Sequence, residues 1–260
     1  MPILRKSLPA LARLWCIACI PLLALLAGSP AQAQKTAVDI ELVLAIDVSG
    51  SVDPFEARMQ RDGYYAALTS PKVIRAIESG VLGRIGVIYM EWAGAHYQRT
   101  VIDWTLINNA DSARQFIARL ADVPPTSQRW TSISGAMDYA MTLFAQSPFE
   151  GTRRVIDISG DGSNNNGRPI REAREDVLKA GVIVNGLPII NDRPTMWGGA
   201  PEVFLDKYYE ENVIGGPGSF MIVADGFEKF ADAILTKLIM EIAGTPPGGP
   251  TRYAARRADE

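Results

Sequence analysis

Asp47, Ser49 and Ser51 sit at alternate positions in the run Asp47-Val48-Ser49-Gly50-Ser51, directly after an apolar stretch, Ile40-Glu41-Leu42-Val43-Leu44-Ala45-Ile46. A carboxylate and two hydroxyls gathered in one tight turn form a set of hard oxygen donors. Donors of this kind suit Mg²⁺ or Mn²⁺ rather than zinc or copper, which favour nitrogen and sulfur. Two later residues, Thr131 and Asp161, offer oxygen as well and could complete a shell around the same ion. Taken singly, each of these residues is also an ordinary turn former or helix cap. The chemistry therefore depends on whether the fold brings the three segments together.

The elements around these residues suggest that it does. A strand is expected over about 39–47. Asp53, Pro54 and Glu56 then read as an N-cap, a first-turn proline and a capping-box acid. The helix they open runs towards Ser79-Gly80, with a break at Ser70-Pro71. Arg84 to Trp92 is a second strand, and Gln98 to Leu106 a third, close enough to pair with it as a hairpin. Asn109 caps a helix to about Leu120. Ile133, Ala136, Met137, Ala140, Met141 and Phe144 fall on one helical face, the pattern of a core stripe. Val155 to Ser159 is a short apolar run without alternation, as in central parallel strands. A helix over about 169–180 stops at Gly181, and Val182 to Ile190 is the next strand.

Residues 191–218 break this rhythm. They contain Trp197-Gly198-Gly199 and Gly215-Gly216-Pro217-Gly218, with a short helix expected near Val203–Tyr209. Such an insertion is either a functional loop or a local decoration. Ser219 to Ala224 is a last strand. Asp225 is expected to cap the final helix, with Glu228 three residues on, and Gly244 and Pro246-Pro247 end it. Alternating strands and helices predict an α/β fold: a doubly wound, mostly parallel sheet with helices on both faces and one antiparallel edge strand. In such sheets ligands sit at the carboxyl ends of the strands, where the strand order switches. Asp47 and Asp161 both follow strands, and Thr131 opens the helix before the second of these, so all five residues are expected at one edge.

The three motifs together, in this order, resemble the von Willebrand factor A (VWA) domain and its metal-ion-dependent adhesion site (MIDAS). They are Asp-x-Ser-x-Ser at Asp47–Ser51, Thr131 followed by Ala136-Met137, and Asp161-Gly162 after an apolar strand. The resemblance covers about residues 38–243 and extends to exported bacterial proteins of that type whose role is not established. It implies a Rossmann-like fold and a bound Mg²⁺, with Mn²⁺ or Ca²⁺ as alternatives. Ser49 and Ser51 would hold the ion directly, Thr131 would join in the ligand-bound state, and Asp47 and Asp161 would act through waters. The remaining position would take a carboxylate from a protein or peptide partner. Gly160 departs from the pattern, since many such domains carry Thr or Ser before the Asp. The amides of Gly162–Gly167 could rim the site or form a plain polar turn. Trp130 could be an exposed contact on the binding face or pack beneath the loop.

Composition narrows the function further. The chain has 260 residues, 47% hydrophobic and 21% charged, with a formal charge of −3. Outside residues 1–33 there are 23 basic against 29 acidic residues, a poor balance for nucleic-acid binding, which depends on neutralising phosphates. Arg5, Lys6 and Arg13, the apolar stretch Trp15–Ala27, and Ala31-Gln32-Ala33 read as a signal peptide cleaved after Ala33. The domain is then expected over 34–244, with 245–260 a flexible tail and the product periplasmic or secreted. No later segment has the run of apolar residues expected of a transmembrane helix. Both cysteines, Cys16 and Cys19, fall inside the signal, so the mature chain would carry no thiol. His96 is the only histidine, and Gly-x-Ser-x-Gly and Walker A patterns are absent. A non-enzymatic binding domain is therefore expected. The alternatives are a VWA-like domain that binds its partner without metal, and a Mg²⁺-dependent phosphatase using Asp47. The second would need a carboxylate where Ser49 stands.

Overall fold

A computed structural model describes residues 34–191, 202–244 and 251–254. The expected signal peptide and residues 192–201 of the insertion lie outside the described residues. So do residues 245–250 and 255–260 of the expected tail.

The main sheet has seven strands in the spatial order β4-β3-β2-β6-β7-β8-β9. They are β2 (Glu41–Asp47), β3 (Ile85–Trp92), β4 (Gln98–Ile107), β6 (Arg154–Gly160), β7 (Ile183–Ile190), β8 (Phe220–Asp225) and β9 (Thr251–Ala254). Every neighbouring pair is parallel except β3 and β4. Two short strands, β1 (Thr36–Val38) and β5 (Phe149–Gly151), pair separately in parallel. The chain leaves β2 for β3 on one side and later returns to its other side as β6. The strand order therefore reverses between β2 and β6, which places the crevice beyond Asp47 and Gly160.

Strand β2 has no exposed residue, and its side chains alternate between two cores. Leu42, Leu44 and Ile46 face one core with helices α1 (Pro54–Leu68), α2 (Pro71–Glu78), α3 (Ala110–Ala118) and α7 (Phe230–Ala243). Val43 and Ala45 face the other, with α4 (Ile133–Gln146), α5 (Ile170–Lys179) and α6 (Leu205–Asn212). Burial on both faces is why the strand reads as a continuous apolar run. The VWA-like architecture expected from the motifs, helices on both faces of a mostly parallel sheet, is what the chain adopts.

Local signals account for most boundaries. Asp53 Oδ1 accepts from the Phe55 and Glu56 amides at 2.7 and 2.9 Å, and Glu56 Oε2 accepts from the Asp53 amide at 2.8 Å. Ser70 caps α2, with Pro71 in its first turn, so the break falls at the expected dipeptide. Gly181 takes φ +72 after α5, a conformation that glycine adopts without a Cβ penalty.

Three assignments change. Asp225 does not cap the last helix: it is the final residue of β8, paired with Ile190. Gly226, at φ +84, turns the chain into a 3₁₀ turn (Phe227–Lys229) before α7. The α4 cap is Ser132, whose Oγ accepts from the Gly135 amide at 3.1 Å, so Thr131 precedes the helix rather than opening it. Thr251–Ala254, inside the expected tail, pairs in parallel with β8 as an edge strand. Its short length and proline-flanked setting gave no strand signal.

Candidate metal centre

Asp47 ends β2 and is fully buried. Its Oδ1 accepts from the Ser49 amide at 2.7 Å, the short-range bond by which Asp closes a turn. That bond folds the loop back so that the Ser49 and Ser51 hydroxyls lie 3.0 Å apart. Ser51 Oγ in turn donates to Asp161 Oδ1 at 2.5 Å, although 110 residues separate them. Asp161 is delivered by β6, which pairs in register with β2 from Glu41↔Arg154 to Ile46↔Ser159.

Thr131 enters from the loop before α4. A cleft of about 320 Å³ is lined by Ser49, Ser51, Thr131 and Asp161, together with Arg129, Trp130, Asn165 and Glu202. Four of the five expected site residues therefore share one cleft. The fifth, Asp47, lies beneath it and reaches it through the bond to Ser49. His96 is exposed in the turn between β3 and β4 and is not among the residues lining this cleft.

Three consecutive asparagines fix the Thr131 loop. Asn165 Oδ1 accepts from the Thr131 amide at 2.8 Å, while the Asn165 amide donates to the Thr131 carbonyl at 2.9 Å. Asn164 Oδ1 accepts from the Ser134 amide at 2.9 Å, and Asn166 Oδ1 from the Ala95 amide at 2.7 Å. The loop after Asp161 is thus a buckle, holding the Thr131 segment and the β3–β4 turn against the site. Between the two expectations for Trp130, the exposed one holds: it is 55% accessible, on the cleft wall, with the Arg129 guanidinium 5.6 Å from its ring centre. Its φ of +68 is unusual for a bulky residue, and Phe204 (φ +62) is the only other non-glycine residue with positive φ among those described.

Electrostatics mark the site as short of positive charge. Burial pushes the Asp47 carboxyl well above its ordinary range, and the neighbouring Asp161 charge adds to this against the Ser49 bonds. Burial likewise raises Asp161, to about 6, with Glu56 and Glu202 contributing and the Ser51 hydroxyl opposing. The second oxygen of Asp47 is buried without a hydrogen-bond partner. A divalent cation would compensate both carboxylates. The donor set fits one: Mg²⁺ bonds of about 2.0–2.1 Å place adjacent octahedral ligands roughly 3 Å apart, the separation of the two serine oxygens. Among the described residues no group of three His, Cys, Asp or Glu side chains forms a metal cluster. A site built mainly on hydroxyls is of another type, with the Ser49 and Ser51 oxygens as its donors.

Sequence reasoning missed the contribution of the insertion. Glu202 Oε2 accepts from the Ser163 amide at 2.8 Å, and the Tyr208 hydroxyl accepts from the Asn164 amide at 3.2 Å. Neither residue has a spacing that marks it, because the contacts arise only once α6 docks. The asparagine run was visible, but its partners were not.

The chain belongs to the family described as "Protein of unknown function (DUF1194)", whose model matches residues 37–246. No curated protein matches it. Among solved structures it is similar to proximal thread matrix protein 1 from the mussel byssus with a zinc-occupied MIDAS motif, at 16% identity and TM-score 0.56, covering 81% of this chain and 49% of that one. It is also similar to the pilus adhesin SpaC from Lactobacillus rhamnosus GG, at 14% identity and TM-score 0.57, with coverages of 81% and 31%. A von Willebrand factor type A protein from Catenulispora acidiphila matches at 12% identity and TM-score 0.52, with coverages of 80% and 42%. This chain spans less than half the length of each. At these identities the likeness shows the fold, which is that of a VWA domain.

Proposed function

We propose that this member of the family is a VWA-type binding domain that takes a carboxylate of a protein or peptide partner through a divalent cation. Ser49, Ser51 and Thr131 would hold the ion, and Asp47 and Asp161 would support it. The observation that carries this reading is the continuous link from Asp47 through Ser49 and Ser51 to Asp161, at the switch point of the sheet and open to a cleft. When bound, the ion supplies an electrophilic position for an anionic ligand. Uncharged hydroxyl donors keep that position strong, because they neutralise little of the ion's charge. Mg²⁺ suits the set best, and Mn²⁺ or Ca²⁺ would serve as alternatives.

The same geometry speaks for binding rather than catalysis. Asp47 lies under the cleft wall with Oδ1 committed to the Ser49 amide, a poor position for a phosphoaspartyl nucleophile. Export also belongs to this proposal, with cleavage near Ala33 and a domain from residue 34 that takes in the edge strand Thr251–Ala254. Among the described residues no helix is long and apolar enough to cross a membrane.

The test is calorimetric titration of chelator-stripped protein with Mg²⁺ or Mn²⁺, repeated on Asp47→Ala. Wild type is expected to bind one ion and Asp47→Ala to lose most of the heat. Indistinguishable isotherms would remove the site. At 100-fold excess over Kd the ion should stabilise the fold by about 2.7 kcal/mol.

A further inference from the structure

The insertion carries a buried polar group aimed at this site. Tyr209 lies on α6, is fully buried, and packs within the core shared by α4 and α5. Its hydroxyl has no hydrogen-bond partner among the described residues, and neither does Oδ2 of Asp47. Both atoms converge on one point. A Cβ built on Gly160 would lie 2.8 Å from Asp47 Oδ2 and 3.0 Å from the Tyr209 hydroxyl. A second glycine clears the way for the ring: a Cβ on Gly186 would lie 2.8 Å from Tyr209 Cδ1. These glycines stand on adjacent strands, Gly160 in β6 and Gly186 in β7.

The chain thus leaves two Cβ positions empty to lay a phenol across the sheet, with its oxygen beside a buried carboxylate. If packing were all that mattered, phenylalanine would serve better, because a buried hydroxyl without a partner is destabilising. One water between the two oxygens would complete a bond to the carboxylate.

We propose that Tyr209 is a positioning residue of the cation site, its hydroxyl donating to Oδ2 of Asp47 and so fixing the carboxylate whose other oxygen shapes the Ser49 turn. The nearness of the two oxygens is what the geometry supplies, and the effect on the ion rests on the binding function proposed above.

The experiment is a double-mutant cycle on the full chain with Tyr209→Phe, Asp47→Ala and the double variant, melted in excess chelator and then titrated with Mn²⁺. In chelator, Tyr209→Phe is expected to melt at least about 3 °C below wild type. That loss should disappear in the Asp47→Ala background. Mn²⁺ affinity of Tyr209→Phe is expected to fall about 10- to 100-fold, as when a group that orients a metal ligand is removed. If Asp47→Ala does not fold, Asp47→Asn replaces it, and the cost of Tyr209→Phe should shrink as the charged acceptor is lost.

Tyr209→Phe melting at or above wild type, or losing equally in both backgrounds, would overturn the bond. Coupling in chelator with unchanged Mn²⁺ affinity would overturn the positioning role. Wild type failing to take up Mn²⁺ would overturn the cation reading and the positioning role with it, while the cycle in chelator would still decide the Tyr209–Asp47 bond.

Discussion

Replacing Asn165 with alanine tests whether the asparagine buckle positions Thr131. The side chain supplies one acceptor, Oδ1, to the Thr131 amide at 2.8 Å. The reciprocal bond, from the Asn165 amide to the Thr131 carbonyl at 2.9 Å, belongs to the backbone and survives the substitution. The loss is therefore one amide donor beside a largely buried threonine. A buried donor left without a partner costs about 1–3 kcal/mol. Because Asn165 itself lines the open cleft, water can reach the vacated place, and the cost should fall in the lower half of that range, about 1–2 kcal/mol. For a domain of this size that corresponds to a drop in Tm of roughly 2–8 °C. Calorimetric melts in chelator measure this term alone, and titration with Mg²⁺ then measures what the loosened Thr131 does to the ion. Affinity should fall about tenfold or more if the amide bond holds the hydroxyl in place. Asn165→Asp, which keeps an oxygen at the same position, should retain more of the stability. An alanine variant that melts and binds like wild type would refute the idea that this loop orients the site.

Two further substitutions probe the frame behind it. Lys237 is fully buried between Asp157, at 2.5 Å, and Glu241, which also accepts from Asn185 at 3.0 Å. Burial, reinforced by the Glu241 charge and opposed by Lys237, raises Asp157 to about 7. Its folded pKa lies above the unfolded value near 3.9, so its contribution to stability is full below about pH 4 and is lost as pH rises through about 7. In chelator, wild type should therefore lose stability between about pH 4 and 7 more steeply than Asp157→Asn, and parallel melting curves would contradict this. At Gly63, where a Cβ would meet the Phe230 ring at 2.7 Å, alanine sets overpacking of about 1–3 kcal/mol against a gain of about 1 kcal/mol in helix propensity. A net loss of roughly 1 kcal/mol in urea unfolding is expected, and a net gain would mean that α1 and α7 are not in close contact there.

How far the sequence could be read depended on the range of the forces involved. Asp53-Pro54 with Glu56, and Ser70-Pro71, act within a single turn, and both helix starts lie where local chemistry puts them. Strand β2 was legible because burial on both faces leaves the unbroken apolar run Leu42–Ile46. The Asp47–Ser51 motif was legible because its turn is closed by a bond between residues two apart. Errors arose where tertiary pairing overrides local preference. Asp225 has the spacing of a capping box, yet pairing with β7 holds it in extended backbone, and Gly226 makes the turn instead. Likewise β9 depends on an open edge of β8, which its own residues do not advertise.

The insertion shows the same limit from the functional side. By composition alone, 191–218 could be a decoration or a working part. The described portion makes contacts that a decoration does not need. Glu202 and Tyr208 bond to consecutive amides, Ser163 and Asn164, of the loop that follows Asp161. Tyr209 fills the space that Gly160 and Gly186 leave open. Consecutive tyrosines on a helix point about 100° apart, so one can hold the loop while the other reaches under it. Removing α6 would therefore open the second core and, in the same step, release the Asn164 amide that Tyr208 holds. A segment whose docking is stabilised by apolar burial and whose polar atoms end on the Asp161 loop ties the insertion to the wall of the cleft.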